Sequence, residues 1–170
     1  MRALSLWFYQ LPLSHVALLL LAAGLAFRYL EEDLGKHRQL HVFWSGLLLL
    51  WVGAVAYITL ANRGGGAYGY EMLPFHSYRE VLAGGNRELL RSNFMNVALF
   101  FPGGLLMGTL LPRKWPLWLR LLTVGTAMLA LSAGVEYLQY ARHLGRAEVD
   151  DLIHNTLGAI IGAAMTYRKK

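Results

Sequence analysis

The sequence predicts an all-α fold: a polytopic transmembrane bundle of about five helices. Three observations carry that prediction. Hydrophobic residues make up 56% of the 170-residue chain. They gather into long runs rather than spreading evenly, and the charged residues collect in the connectors between runs. A mean hydropathy of only +0.39 is therefore an average over a strongly segregated pattern. A hydrocarbon core about 30 Å thick is crossed by about 20 mostly apolar helical residues. The runs are rich in Leu, Ala and Gly and lack the alternation that barrel strands need. A helix also satisfies its own backbone groups in lipid. The whole chain, 1–170, reads as a single integral membrane domain.

The first expected span is Leu13–Leu30. The small residues Ala22, Ala23, Gly24 and Ala26 give it some likeness to a cleaved signal peptide. Only Arg2 marks a basic leader, however, and an amphipathic stretch from Leu6 to Pro12 precedes the run, so a retained helix is expected. Leu40–Ala61 is an uninterrupted apolar run. Phe94–Leu111 contains Pro102-Gly103-Gly104, where a helix can bend. Leu117–Tyr140 is the longest run. Leu152–Tyr167 is short and begins on polar residues. The connectors are Arg28–Gln39, Asn62–Ser92, Pro112–Pro116 and Ala141–Glu148. The long second one contains a flexible glycine turn and an extended Leu73 ahead of Pro74. A short interfacial helix follows, interrupted at Gly84-Gly85.

Basic clusters at Lys36/Arg38, Arg113/Lys114 and Arg168/Lys169/Lys170 tip the charge bias toward a cytoplasmic C-terminus and an external N-terminus. The second and fourth connectors then share one membrane face. The expected setting is the bacterial inner (cytoplasmic) membrane, crossed several times. Trp7, Trp44, Trp51, Trp115 and Trp118 fit interface anchors, most of them near the ends of expected spans.

The absence of cysteine rules out disulfides and thiolate chemistry. The net charge of +6 is scattered over every connector without an aromatic-interleaved stripe. That suits anionic headgroups and argues against nucleic acid.

The stretch from Ser132 to Gly162 concentrates the unusual residues. Glu136 and Gln139 share a helix face near the end of one apolar run. Arg142, His143 and Arg146 follow in a short loop, and Asp150, Asp151, His154 and Asn155 open the next run. Ionisable groups at membrane depth are costly, roughly 2.5–3.5 kcal/mol each on insertion scales, and mark sites or interior networks. Glu136 and Asp151 are the candidate catalytic carboxylates. Asn96, Glu136, Asp150 and Asp151 equally form a structural polar network in which Glu136 pairs with Arg146 or Arg142. Asp150 is expected to cap its helix or to turn toward Arg146 or the surface. Glu136, Asp150 and Asp151 would be the oxygen ligands of a divalent cation, although two nearby arginines satisfy the same carboxylates without one. No cofactor is required. Arg142 and Arg146 suit an anionic headgroup, with Gln139 and Asn155 as amide donors and Phe75 and Tyr78 as cover from the second connector. Gly104-x-x-x-Gly108 and Gly158-x-x-x-Gly162 allow close helix approach, either between the third and fifth helices or in a homo-oligomer.

Four motifs in order resemble those of the VanZ-like family of bacterial membrane proteins, named for a teicoplanin-resistance protein. They are Leu73-Pro74-Phe75 with Ser77-Tyr78; Asn96 through Pro102-Gly103-Gly104; Ser132 with Glu136 and Gln139; and Arg146 with Asp150-Asp151, Asn155, Gly158 and Gly162. The resemblance covers Glu71–Gly162, residues 71–162. It implies a small cell-envelope membrane protein, and the polar cluster adds the expectation that it binds or handles an anionic envelope lipid or a lipoglycopeptide-like ligand. A membrane enzyme acting on a lipid-linked phosphate, or an accessory partner of another envelope protein, are the alternatives it leaves.

Overall fold

The computed structural model describes residues 14–16, 18, 38–60, 68–85 and 87–168. Apart from 14–16 and 18, the expected span Leu13–Leu30 lies outside the described residues. So do Trp7 and the glycine turn after Asn62. The remaining spans form four long helices: α1 (Arg38–Leu60), α3 (Glu88–Leu110), α4 (Leu117–Ala141) and α5 (Val149–Met165). A seven-residue helix, α2 (His76–Leu82), lies in the second connector. Among the described residues, three helices are long and apolar enough to cross a membrane: α1 from His41, α3 and α4. At 17 residues, α5 rises about 25 Å at 1.5 Å per residue, somewhat less than a full hydrocarbon core.

The sequence pattern leads to no strands, but two three-residue ones are present. β1 (Gly69–Glu71) pairs in parallel with β2 (Arg146–Glu148), with Tyr70 opposite Ala147. They form because the second connector folds back over the loop ahead of α5. The pair thereby joins the second and fourth connectors at one end of the bundle.

The most extensive helix contact is between α3 and α5, and α4 packs against α5 on another side. Both glycine motifs lie in that contact. A methyl group at Gly104 would run into the carbonyl of Ala159, and one at Gly158 into the carbonyl of Val97. The two backbones touch because neither residue has a side chain. Phe100, Val124, Met128, Val55 and Ala159 make the buried core beside them.

The helix α3 continues through Pro102 without interruption. Proline removes one backbone donor, and neighbouring helices re-satisfy backbone groups at such points. The carbonyl deprived of its donor is that of Ala98; one residue on, the Trp51 indole N–H donates to the Leu99 carbonyl at 3.0 Å and ties α1 to this stretch of α3. Trp51 therefore lies in mid-helix against α3, whereas an interface anchor would sit at a helix end. At the opposite end of α3, the buried Arg120 of α4 donates to the carbonyls of Gly108 at 2.5 Å and Pro112 at 3.1 Å. Its guanidinium also reaches Thr166 Oγ1 at 3.1 Å, at the end of α5. A cation here meets the negative end of the α3 dipole and its unsatisfied carbonyls.

Candidate functional site

The polar residues form a seam between the flap (β1 through α2) and the first turns of α5. Asp150 is its hinge. Although it lies in the first turn of α5, it does not cap that helix, whose N-cap residue is Glu148. Nor does it turn to Arg146 or to the surface. Its buried carboxylate accepts from Phe75 N–H at 2.5 Å, Ser77 N–H at 3.0 Å and the Ser77 hydroxyl at 2.6 Å. An acid on one helix thus supplies the N-terminal acceptor that α2 lacks, since Phe75 makes no side-chain cap. Burial pushes the Asp150 carboxyl up, but the bonds from the Ser77 hydroxyl, Ser77 N–H and Phe75 N–H outweigh it. They hold the group below the usual carboxylate range.

Asn93 of α3 donates to the Ser77 hydroxyl at 2.7 Å, which extends the seam into the bundle. One turn further along α3, Asn96 donates to Asp151 at 2.6 Å. Two residues on adjacent turns of α3 therefore reach the two adjacent acids, directly for Asp151 and through Ser77 for Asp150. His154 completes the seam. Its Nδ1 lies 2.5 Å from the Asp150 carbonyl, which can only accept, so Nδ1 carries the proton. Its Nε2 lies 2.8 Å from the Tyr78 hydroxyl and, in the neutral ring, accepts from it.

A second cluster clamps the start of the flap. Glu71 accepts from Arg146 Nη2 at 3.0 Å and from Leu73 N–H at 3.1 Å, with His76 Nε2 at 3.6 Å. Register explains the ion pair: Gly69 is opposite Arg146, so Glu71 is the diagonal neighbour on the same face.

The residues expected to gather around one headgroup are spread across the molecule. Arg146 is tied to Glu71. The buried amide of Gln139 reaches across to the Thr59 carbonyl of α1 at 3.1 Å. Asn155 is buried between α4 and α5, donating to Ser132 at 2.9 Å. Arg142 is exposed at the α4 C-cap, and Phe75 and Tyr78 lie on the exposed flap with their rings in edge contact. The cation arrangement of Glu136, Asp150 and Asp151 is not present, because the three side chains serve different elements. Glu136 accepts from Glu148 N–H at 3.1 Å, while Asp150 faces the flap and Asp151 faces α3. Among the described residues, no three His, Asp or Glu side chains converge to hold a metal.

Sequence reasoning missed Ser77 as the central acceptor and donor, Glu71 as the clamp, and Arg120. Glu71 and Ser77 did carry a signal, since they bracket Pro74 in a connector dense with apolar residues. It also missed an apolar cleft of about 430 Å³ beneath β1, between α4 and the start of α5. Tyr70, Met72, Tyr137, Tyr140, Glu136 and Leu152 contribute to its walls. Tyr140 is further stacked on Tyr68, with ring centroids 5.1 Å apart. Tyr137 and Tyr140 sit three apart on α4, hence on one helix face.

The family model described as VanZ/LLP1 matches residues 16–169, which extends the resemblance well beyond the motif region 71–162. No curated protein and no solved structure matches the chain.

Proposed function

The chain belongs to the VanZ/LLP1 family, and from that premise we propose that it binds an anionic, amphipathic envelope lipid at the flap end of the bundle. The apolar chain of that lipid occupies the cleft beneath β1, and its headgroup lies at the rim, two residues beyond Tyr140, where Arg142 supplies a guanidinium. The cleft is the observation that supports this reading. Ligand pockets typically enclose about 300–1,000 Å³ and are mostly apolar, and this one, about 430 Å³, has almost wholly apolar walls. That is room for one chain. Arg favours phosphate-like anions by its bidentate geometry.

In this reading the setting is the bacterial inner membrane, with the flap on the external face and the C-terminus in the cytoplasm. Glu136, Asp150 and Asp151 are positioning residues: each carboxylate joins its helix to a neighbouring segment. That assignment favours a binding protein over an enzyme acting on a lipid-linked phosphate.

Native mass spectrometry of the purified protein tests the proposal. Ala133 lines the cleft from an exposed position on α4, so Ala133→Trp fills it without emptying the core. The wild type is expected to retain phospholipid-class adducts that Ala133→Trp loses several-fold, with Arg142→Gln intermediate. Equal retention in all three proteins overturns the reading.

A further inference from the structure

The flap has an inverted polarity. Arg79 and Glu80 of α2 are exposed, but the other polar groups point inward: Glu71 to Arg146, the Phe75 and Ser77 amides to Asp150, and the Tyr78 hydroxyl to His154. Its large apolar side chains point outward. Met72 is 61% exposed, Leu73 51%, Phe75 50% and Leu82 87%, with Tyr70 and Tyr78 beside them. A connector surrounded by water would bury such side chains and expose its amides. A contiguous exposed apolar patch of this kind marks an interaction surface.

Phe75 adds an independent observation. Its backbone is left-handed, at φ 60 and ψ 26, a conformation that bulky residues rarely adopt. The Asp150 bond to Phe75 N–H holds it there, and the result is an aromatic ring directed away from the bundle. Such strain persists where the surroundings over-determine it and is concentrated at functional positions.

We propose that the outward row Met72, Leu73, Phe75 and Leu82 is seated in the headgroup–acyl boundary of the leaflet in which α1 ends and α3 begins. Continuity with the lipid-facing surface selects that partner. The flap joins two membrane-crossing helices, so it lies at bilayer-surface level. Beside it on α4, Tyr137 and Leu138 extend the exposed apolar surface downward. Aromatic residues favour this boundary, and short amphipathic segments lie in its plane. Met72 and Tyr137 also line the cleft. Seating the flap in lipid places that opening against the leaflet, so a ligand enters sideways from the bilayer and not from water. The seating itself stands whether or not the cleft holds a lipid.

Because the chain has no cysteine of its own, single-cysteine labelling tests this directly. Leu82→Cys, Leu73→Cys and, as a control in the third connector, Arg113→Cys would each carry a bimane fluorophore. Each protein is reconstituted into phosphatidylcholine/phosphatidylglycerol vesicles containing doxyl-labelled lipids. The expected result is at least twofold stronger quenching at positions 82 and 73 by a doxyl group near the headgroup than by one near the chain end. Aqueous iodide should quench there weakly and at position 113 strongly. Strong iodide quenching with no lipid quenching at positions 82 and 73 overturns the proposal and leaves the row to a water-side partner or a second copy of the chain. Leu82 packs against almost nothing, so its variant keeps the test decisive if Leu73→Cys fails to fold. Retention of lipid in the cleft is read separately by mass spectrometry, so either idea can fail alone.

Discussion

Asp150 carries three hydrogen bonds from a segment more than seventy residues away in sequence. Asp150→Asn keeps the shape but removes the charge, and hydrogen bonds to charged groups contribute about 1.5–3 kcal/mol each. A loss of about 2–4 kcal/mol in flap stability is expected. It would be measured as faster amide exchange at Phe75 and Ser77 with little change within α3. The pH dependence follows from the lowered carboxyl. A folded-state value below the unfolded one, about 3.9 for Asp, gives stability that is complete above that value. That stability is lost as pH falls through the folded value. Flap protection should thus hold constant from pH 7 to 5 and decline only below about pH 4. Loss of protection already at pH 6 would exclude Asp150 as its source. His154 gives a second test at this scale. Its Nδ1–H tautomer should be visible by nitrogen NMR, and Tyr78→Phe should shift Nε2 and cost about 0.5–1.5 kcal/mol. An Nε2–H tautomer would contradict the seam as described.

Between elements, the α3–α5 contact depends on three glycines, Gly104, Gly158 and Gly162, facing carbonyls. Gly158→Ala must move one backbone relative to the other, since the obstructing atoms belong to the Val97 main chain and cannot rotate away. Overpacking of this kind costs typically about 1–3 kcal/mol. A lowered thermal midpoint in detergent is expected, with Gly134→Ala, which meets nothing, as the neutral comparison. Arg120 is the corresponding tie at the other end. Arg120→Met leaves the Gly108 and Pro112 carbonyls without this donor in a buried setting and should destabilise by about 2 kcal/mol or more. A loss under about 0.5 kcal/mol would place the α3 end in water.

For the molecule as a whole, the β1–β2 pairing fixes the second and fourth connectors at one end, opposite the Pro112–Pro116 loop. Cysteines introduced at Tyr68 and Arg142 should be labelled by an impermeant maleimide from the same side of the membrane, and one at Arg113 from the other. Under the basic-residue bias the Arg113 side is cytoplasmic. Labelling of Tyr68 and Arg142 from opposite sides would be incompatible with the fold.

The helices were legible because membrane insertion is a local criterion: a run of apolar residues needs no partner to be recognised. Glu136, Asp150, Asp151, Asn96 and Asn155 were legible as residues for the same reason, since their expense in lipid marks them singly. Their partners were not. Helix periodicity placed Asp150 near the end of a helix and gave it a cap. Only the fold-back of the flap brought Ser77 and Phe75 to it, and only strand register gave Arg146 to Glu71. The cleft has no sequence signature, because its walls come from two helices and a strand that meet only after packing. Sequence alone therefore determined which segments are apolar helices suited to a membrane and which polar residues among them had to be satisfied. The tertiary structure decided who satisfies whom, because hydrogen bonds act over about 3 Å in space and are indifferent to separation along the chain.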